Sequence, residues 1–471
     1  MHINMIISNL QAILDILRTK TNQKQAKSTI MQQIKAFSKT ISTAVALFIA
    51  FVPSHAISRN DVIDYKNLTP KELIAQHPEF SPGIYHSYNE PVNRTSIITR
   101  PEGYTPFYIS HYGRHGSRWH SSEHFYETSL QPLQKAYKEG FLTPEGEDLL
   151  RKVRILAEDA EGRWGDLSPR GVREHRGIAE RMFKTYPEVF EGEARIDSKS
   201  TVVIRCVLSM AAFNERLKEL NPAIEISRES SQRNMGFMGN RAMTNKIGVF
   251  RKAGQIRDSL MMEWVKPERF IKSIFTKDDF VEDNISNPTK WMYSVYMLAG
   301  ICQDCDYLGL DLYPYFETDE LYDLWRTINC WAYMALGPNE QFGTLIKNEA
   351  IPLLVDIISA TDAAIEGESH LAANLRFGHD TNIVPLLTLM GLSNVDICTS
   401  LEDLQNKWNI SLISPMANNL QMIFFRSEDS EDVLVRVMHN EYDAQLPLDG
   451  GPFYKWTDLK EYLINRIKGL L

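Results

Sequence analysis

The chain has no run of about twenty apolar residues, so it offers no helix able to span a bilayer. The longest candidate, Ile41 to Val52, is too short. Cysteine is scarce, with five in 471 residues, and the odd count leaves at least one thiol unpaired within a single chain. Cys302 and Cys305 form one close pair, but no second pair at ligand spacing follows, so a metal site is not expected. A local disulfide or plain buried thiols remain as readings. Internal repeats and low-complexity linkers are absent, so a second domain would have to be an insertion or be closely packed. Basic charge is also short: 51 Lys and Arg face 60 Asp and Glu, a net charge of −9. That balance argues against nucleic acid and anionic membranes as partners. Any small anionic ligand must be held by a local cluster of arginines.

With 43% hydrophobic and 24% charged residues, the chain has the composition of an ordinary globular protein. Its N-terminus reads as an export leader over residues 1–56: Lys35 and Lys39 precede the Ile41 to Val52 stretch, Pro53 follows it, and Ser54-His55-Ala56 places small residues where a signal peptidase cuts. Met31 is an alternative start. The first cysteine is Cys206, so none follows the cleavage point to carry a lipid. The expected product is exported, periplasmic or secreted, with no membrane partner once the leader is removed. Removing a leader of net charge +5 takes the chain from −9 to −14.

Three strand-to-helix junctions carry unusual polar residues. Tyr104 to His111 is an aromatic and β-branched run with strand character, and it leads into Tyr112-Gly113-Arg114-His115-Gly116-Ser117-Arg118. Glycines among charged residues at a strand end mark a turn where backbone approaches a ligand. Ser200 to Ile204 is read as a second strand, placing Arg205 at the start of a helix that runs to Leu217. Leu371 to Phe377 is a third, followed by Gly378-His379-Asp380-Thr381-Asn382 and an apolar helix from Ile383 to Met390 that Gly391 ends. Asp380 and Thr381 are N-cap candidates. In open α/β sheets ligands gather beyond the carboxyl ends of strands, so three such junctions imply one shared site.

Between Arg205 and His379 tryptophan, tyrosine and methionine recur amid helical patterns, which suggests a mainly helical insertion over 206–349. The α/β core is then 57–205 plus 350–471. The aromatic residues of the insertion read as core rather than as a ligand stack. Ser168 as N-cap, Pro169 in the first turn and Pro187 as stop mark one further helix. His111, His120 and His175 read as packing or surface histidines.

Arg114, Arg118 and Arg205 with His379 would make a strong clamp for a phosphate dianion, because the guanidinium fork matches two phosphate oxygens. Clustered positive charge also keeps a neighbouring imidazole neutral and nucleophilic, which suits His115. An alkoxide leaving group must be protonated as it departs, and Asp380 is the candidate acid. Such chemistry calls for no cofactor.

Arg114-His115-Gly116-Ser117-Arg118 resembles the RHGxR signature of the histidine phosphatase superfamily, and Gly378-His379-Asp380-Thr381-Asn382 resembles the His-Asp element of its acid phosphatase branch. That branch contains phytases, glucose-1-phosphatases and multiple inositol polyphosphate phosphatases. Arg205 is similar to the branch's third phosphate-binding arginine, and Ser414 to Arg426 with Val433 to Asn440 is similar to its late pair of strands. The resemblance implies an α/β fold with a phosphoglycerate-mutase-like core and an inserted helical domain. It implies His115 as nucleophile, Asp380 as proton donor, and Arg114, Arg118, Arg205 and His379 as phosphate ligands. Two departures stand out: His120 occupies a position where many members have proline, and His379-Asp380-Thr381 replaces the His-Ala-Glu of animal inositol polyphosphate phosphatases. The expected activity is hydrolysis of phosphomonoesters, inositol polyphosphates such as phytate foremost. The alternatives are an acid phosphatase or glucose-1-phosphatase acting on sugar phosphates, a mutase, or a non-catalytic binder of phosphate ligands. Residues 230–240 carry no assigned role.

Overall fold

The computed structural model describes residues 68–91, 100–367 and 369–470. The expected leader lies outside them. Along the chain, β1 (Thr105–Arg114) leads to α1 (His124–Glu139), α2 (Pro144–Ala160) and α3 (Pro169–Thr185). Then come β2 (Arg195–Ser200), α4 (Ile204–Leu220) and β3 (Glu225–Ser230). A helical stretch follows, with α5 (Ala242–Ile247), α6 (Val249–Trp264), α7 (Pro288–Asp304), α8 (Thr318–Leu336) and α9 (Gly343–Ile365) as its main members. The chain returns through β4 (Ala373–Gly378), α10 (Asp380–Met390), β5 (Asn419–Arg426), β6 (Leu434–His439), β7 (Tyr442–Asp443), β8 (Phe453–Lys455) and α11 (Trp456–Lys468).

The strands form one mixed sheet in the order β3-β2-β4-β1-β5-β6-β7, with β8 paired to β6. Strands β1 to β4 pair in parallel, and β5 enters antiparallel beside β1. Alternation along the strands sends side chains to two faces. Ile109, Leu375, Phe377, Ile423 and Phe425 join α3 and α4 residues such as Ile178, Met182, Phe213 and Leu217. Tyr108, Tyr112, Met422, Phe424 and Val437 join a larger core with α9, α10 and α11. Strands β4 and β5 are buried along almost their whole length, as a sheet covered on both faces requires.

The helix initiated by Ser168 forms as expected, with the Ser168 hydroxyl accepting from the Gly171 N–H and Pro169 at its start. The helix ended by Gly391 and the late strand pair also form. Trp291 and Trp325 are core side chains of the helical part.

Three local expectations are corrected. The β-branched run Thr201 to Val203 is not strand: β2 stops at Ser200, the Thr201 N–H donates to Phe377 O, and α4 starts at Ile204. Asp380 and Thr381 are not N-caps. The cap position belongs to His379, and Asp380 is the first helical residue. The boundary drawn at residue 206 also falls inside the sheet layer, because α4 packs on the sheet and β3 is its edge strand, paired with β2. In turn α1 and α2, from the stretch assigned to the core, share the larger core with α7 and the helical residues around Phe270. The helical part is therefore assembled from two separated stretches. Apolar periodicity marks a helix but not the layer it joins.

Candidate active site

Parallel pairing of β1 with β4 brings the two motifs together. The last rung of their register is Arg114 opposite Gly378, and the next residue, His115, donates its N–H to Gly378 O at 2.9 Å. Motifs 264 residues apart by number (115 to 379) thus leave the sheet side by side, with the His115 and His379 rings 5.6 Å apart and nearly perpendicular. On the other side of β4, Ser200 of β2 pairs with Phe377, and the turn that follows delivers Arg205.

His115 is buried, and its Nδ1 lies 2.9 Å from Gly116 O. A carbonyl can only accept, so Nδ1 carries the proton and Nε2 keeps its lone pair. Burial first, then Arg114, Arg205, Arg118 and His379, hold this imidazole well below its ordinary pKa. It is a neutral base set among cations.

Arg114 is fully buried; Nη1 donates to Ile84 O at 2.7 Å and Ser414 O at 2.9 Å, and Nη2 sits 3.1 Å from Asp380 Oδ2. The Nε atoms of Arg114, Arg118 and Arg205 are buried without a hydrogen-bond partner. Buried cationic donors left in that state call for an anion. Arg118 also lies over the Tyr85 ring, 5.3 Å from its centroid. Arg205 is pushed below its ordinary pKa by burial and then by Arg118. His379 Nε2 lies 3.1 Å from Thr201 Oγ1 and is pushed down to about 3 by burial and then Arg205. Cys206 lies beside it, donates to Gly378 O at 3.2 Å, and is a neutral thiol pushed up to about 11 by burial.

Asp380 balances two forces. Burial pushes its carboxyl up, but Arg114, His379 and Arg118 pull it down further, so in the free protein it sits below the ordinary carboxylate range. All six residues singled out in the sequence therefore lie in one cluster that can hold a tetrahedral dianion, present an imidazole lone pair to it, and exchange a proton through a carboxyl group.

The structure adds a supporting network beneath this cluster. The Ser117 N–H donates to Glu174 Oε2 and the Ser117 hydroxyl to Glu174 Oε1, both at 2.7 Å. Ser117 Oγ also contacts Ser87 Oγ, which donates to Asp304 Oδ1 at 2.7 Å. Ser168 Oγ reaches both Ser117 O and Asp304 O. A stretch near the start of the described chain backs the loop: Ile84 O on Arg114, Tyr85 under Arg118, and the Tyr88 N–H on Glu174. Gly116 meets Gly171 of α3 so closely that a Cβ on Gly116 would stand 2.6 Å from Gly171 O. Sequence reasoning found none of Glu174, Asp304, Ser87 or Tyr85. The one signal available was Glu174 on the same well-marked helix as Ser168. His120, at the departure noted above, is a packing residue, stacked on Tyr85 and edge-on to Phe125. His111 and His175 pack against Phe377.

A model described as the histidine phosphatase superfamily (branch 2) matches residues 260–440, a span that contains His379 and Asp380 and starts well after Arg118. Among solved structures, the chain is similar to the Bifidobacterium longum multiple inositol polyphosphate phosphatase in complex with inositol hexasulfate. The identity is 18% over 81% of this chain and 97% of that one, with a TM-score of 0.69. It is also similar to the phytase from D. castellii, at 15% identity over 83% of this chain and 85% of that one, TM-score 0.57. At such identities the likeness is one of fold. No curated protein sequence matches the chain. The motifs read in the sequence are thus joined by a family match over residues 260–440 and by a fold shared with a multiple inositol polyphosphate phosphatase and a phytase.

Proposed function

We propose that this chain is an exported phosphomonoesterase that hydrolyses inositol polyphosphates, phytate among them, through a phosphohistidine on His115. Arg114, Arg118, Arg205 and His379 hold the phosphate. His115 Nε2 attacks phosphorus, the P–O bond to the alcohol breaks, and the departing oxygen takes the proton of the Asp380 carboxyl group. Water then attacks the phosphohistidine and gives its proton to the Asp380 carboxylate; the P–N bond breaks, inorganic phosphate leaves, and both residues return to their starting state.

The ion pair between Arg114 and Asp380 carries this reading. A bound phosphate dianion shares the Arg114 guanidinium and adds negative charge beside the carboxylate, which raises its pKa and lets it take up the proton that it later donates. A protein that merely binds phosphate has no use for a carboxylate so close to the anion, since it weakens the clamp. The alternating-charge site thus favours turnover over storage. Export is supported by the leader composition, and the inositol polyphosphate class by the fold shared with the two solved enzymes.

The test is phosphate release from phytate, a sugar phosphate and an aryl phosphate between pH 4 and 7.5, with the folded state checked in parallel. Release from phytate above the sugar phosphate supports the proposal in full. Folded protein that releases phosphate from no ester overturns it.

A further inference from the structure

Two polar side chains from the segment between β2 and the first turn of α4 border the His379 ring. Thr201 Oγ1 lies 3.1 Å from Nε2, and Cys206 Sγ lies 3.6 Å from Nε2 and 3.8 Å from Nδ1. His379 is neutral in the free protein, its pKa pushed down to about 3 by burial and then by Arg205. A neutral imidazole carries one hydrogen and one lone pair, so its neighbours decide which nitrogen holds which. The choice matters for a phosphate ligand. The nitrogen facing an anion must carry the hydrogen, because a lone pair there repels it.

Cys206 leaves the choice to Thr201. Its S–H is spent on Gly378 O at 3.2 Å, so toward the ring the sulfur offers only a weak acceptor. Thr201 is fully buried, one residue past the rung that pairs Ser200 with Phe377, and its backbone is held on both sides. Its N–H donates to Phe377 O of β4 at 3.0 Å, and its carbonyl accepts from the Ser230 hydroxyl at the end of β3, also at 3.0 Å. Among the described residues the Thr201 hydroxyl has one nitrogen or oxygen neighbour at hydrogen-bond distance, His379 Nε2. Were the ring to donate to Thr201, the hydroxyl hydrogen would be buried with nothing but sulfur to receive it, a costly arrangement. When Thr201 donates, that hydrogen meets the Nε2 lone pair, and the ring hydrogen falls to Nδ1. Nothing else claims a lone pair on Nδ1: His379 is the cap residue of α10, yet its side chain accepts no backbone N–H there.

We infer that Thr201 is a positioning residue: its hydroxyl donates to Nε2 and so keeps the His379 hydrogen on Nδ1, where the ring meets the phosphate as a donor. The inference rests on the phosphate-holding role of His379 in the reading above and deepens it.

Thr201→Val keeps the shape of the side chain and removes the hydroxyl, whereas Thr201→Ser keeps the hydroxyl. Both are compared with the unaltered protein by ¹⁵N NMR of labelled histidine, with His379→Asn identifying the signals, and by calorimetry with inorganic phosphate. In the unaltered protein His379 carries its hydrogen on Nδ1. Thr201→Val moves it wholly or partly to Nε2 and weakens phosphate binding about three- to tenfold, the size of one net hydrogen bond. KM on an aryl phosphate rises by a similar factor, and Thr201→Ser restores both properties. A hydrogen on Nε2 in the unaltered protein overturns the inference, whether or not the variants fold. So does a folded Thr201→Val in which hydrogen position and phosphate affinity do not change together, since a residue that merely supports the fold would lower affinity without moving the hydrogen. Thr201→Ser behaving like Thr201→Val overturns it as well. If the unaltered enzyme releases phosphate from no ester, the phosphomonoesterase reading fails, while the NMR signals and the phosphate titration still decide the role of Thr201.

Discussion

Arg114 Nη2 lies 3.1 Å from Asp380 Oδ2, so a cation at the end of one strand is paired with a carboxylate at the start of the helix that follows the neighbouring strand. In the mechanism proposed above, a bound phosphate dianion competes with the carboxylate for that guanidinium and loosens the contact.

Replacing Asp380 with asparagine separates binding from chemistry. The variant loses about 10²- to 10⁴-fold in kcat on alkyl esters, the size expected for a general acid. Inorganic phosphate binds as well as before or better, because a negative charge next to the clamp is gone. Calorimetry and steady-state rates read the two effects, and a parallel loss of both would show that Asp380 only supports the clamp.

Anion binding also moves protons. Asp380 is held below the ordinary carboxylate range in the free protein, and His115 and His379 are held neutral among cations. A sulfate dianion favours the protonated form of each, so binding takes up protons at mildly acidic pH. Calorimetry in buffers of different ionisation enthalpy measures the uptake, which shrinks in Asp380→Asn. Proton release on sulfate binding contradicts the arrangement.

The Glu174 carboxylate binds the catalytic loop through the Ser117 N–H and hydroxyl. Glu174→Gln replaces one acceptor oxygen by a donor facing those groups, which costs on the order of 2 kcal/mol of stability. It lowers kcat more than it raises KM, because the loop keeps its charges and loses its position. An unchanged kcat with reduced stability would limit Glu174 to folding.

Gly116→Ala tests the close approach of loop and helix. A Cβ there stands 2.6 Å from Gly171 O, a backbone atom that cannot step aside. Forced separation costs about 1–3 kcal/mol and displaces His115. Thermal unfolding and the rate on an aryl phosphate should both fall.

Asp304 gives stability a pH dependence of its own. It is buried and its carboxyl is pushed up to about 7, first by burial and, against the pull of Ser87, by Glu174. The folded state binds this proton more tightly than the unfolded chain, so the group's contribution is fully present below about pH 4 and is lost as pH rises to about 7. Asp304→Asn cannot ionise, and its Tm relative to the natural protein should therefore rise between pH 4 and pH 8. A pH-independent difference would place the carboxyl near its ordinary value.

How much of this was legible is clearest at β1 and β4. Their aromatic and β-branched runs, each ending in a glycine-flanked charged cluster, announce strands that stop beside polar residues; both strands form, and the six residues singled out lie in one cluster. Ser200 to Ile204 shows the limit: the same β-branched composition that makes a strand elsewhere here makes a turn, because the ladder beside β4 ends at Ser200 and Thr201. Local propensity carries no information about where a partner strand stops. Glu174 and Asp304 were missed for a related reason. A glutamate on an amphipathic helix and an aspartate at a helix end are ordinary in sequence, and only burial against Ser117 and Ser87 makes them unusual.

The chemistry open to the candidate groups was decided by the sequence alone, since imidazole, guanidinium and carboxyl chemistry belongs to the residue and its placement beside a strand end follows from local pattern. What the tertiary structure decided is every relationship between distant segments: the rung that sets Arg114 opposite Gly378, the lone pair left on His115, and the network under Ser117. These depend on distances across the sheet and between layers, and on the burial that gives each charge its strength, and neither is a property of residues near one another in the chain.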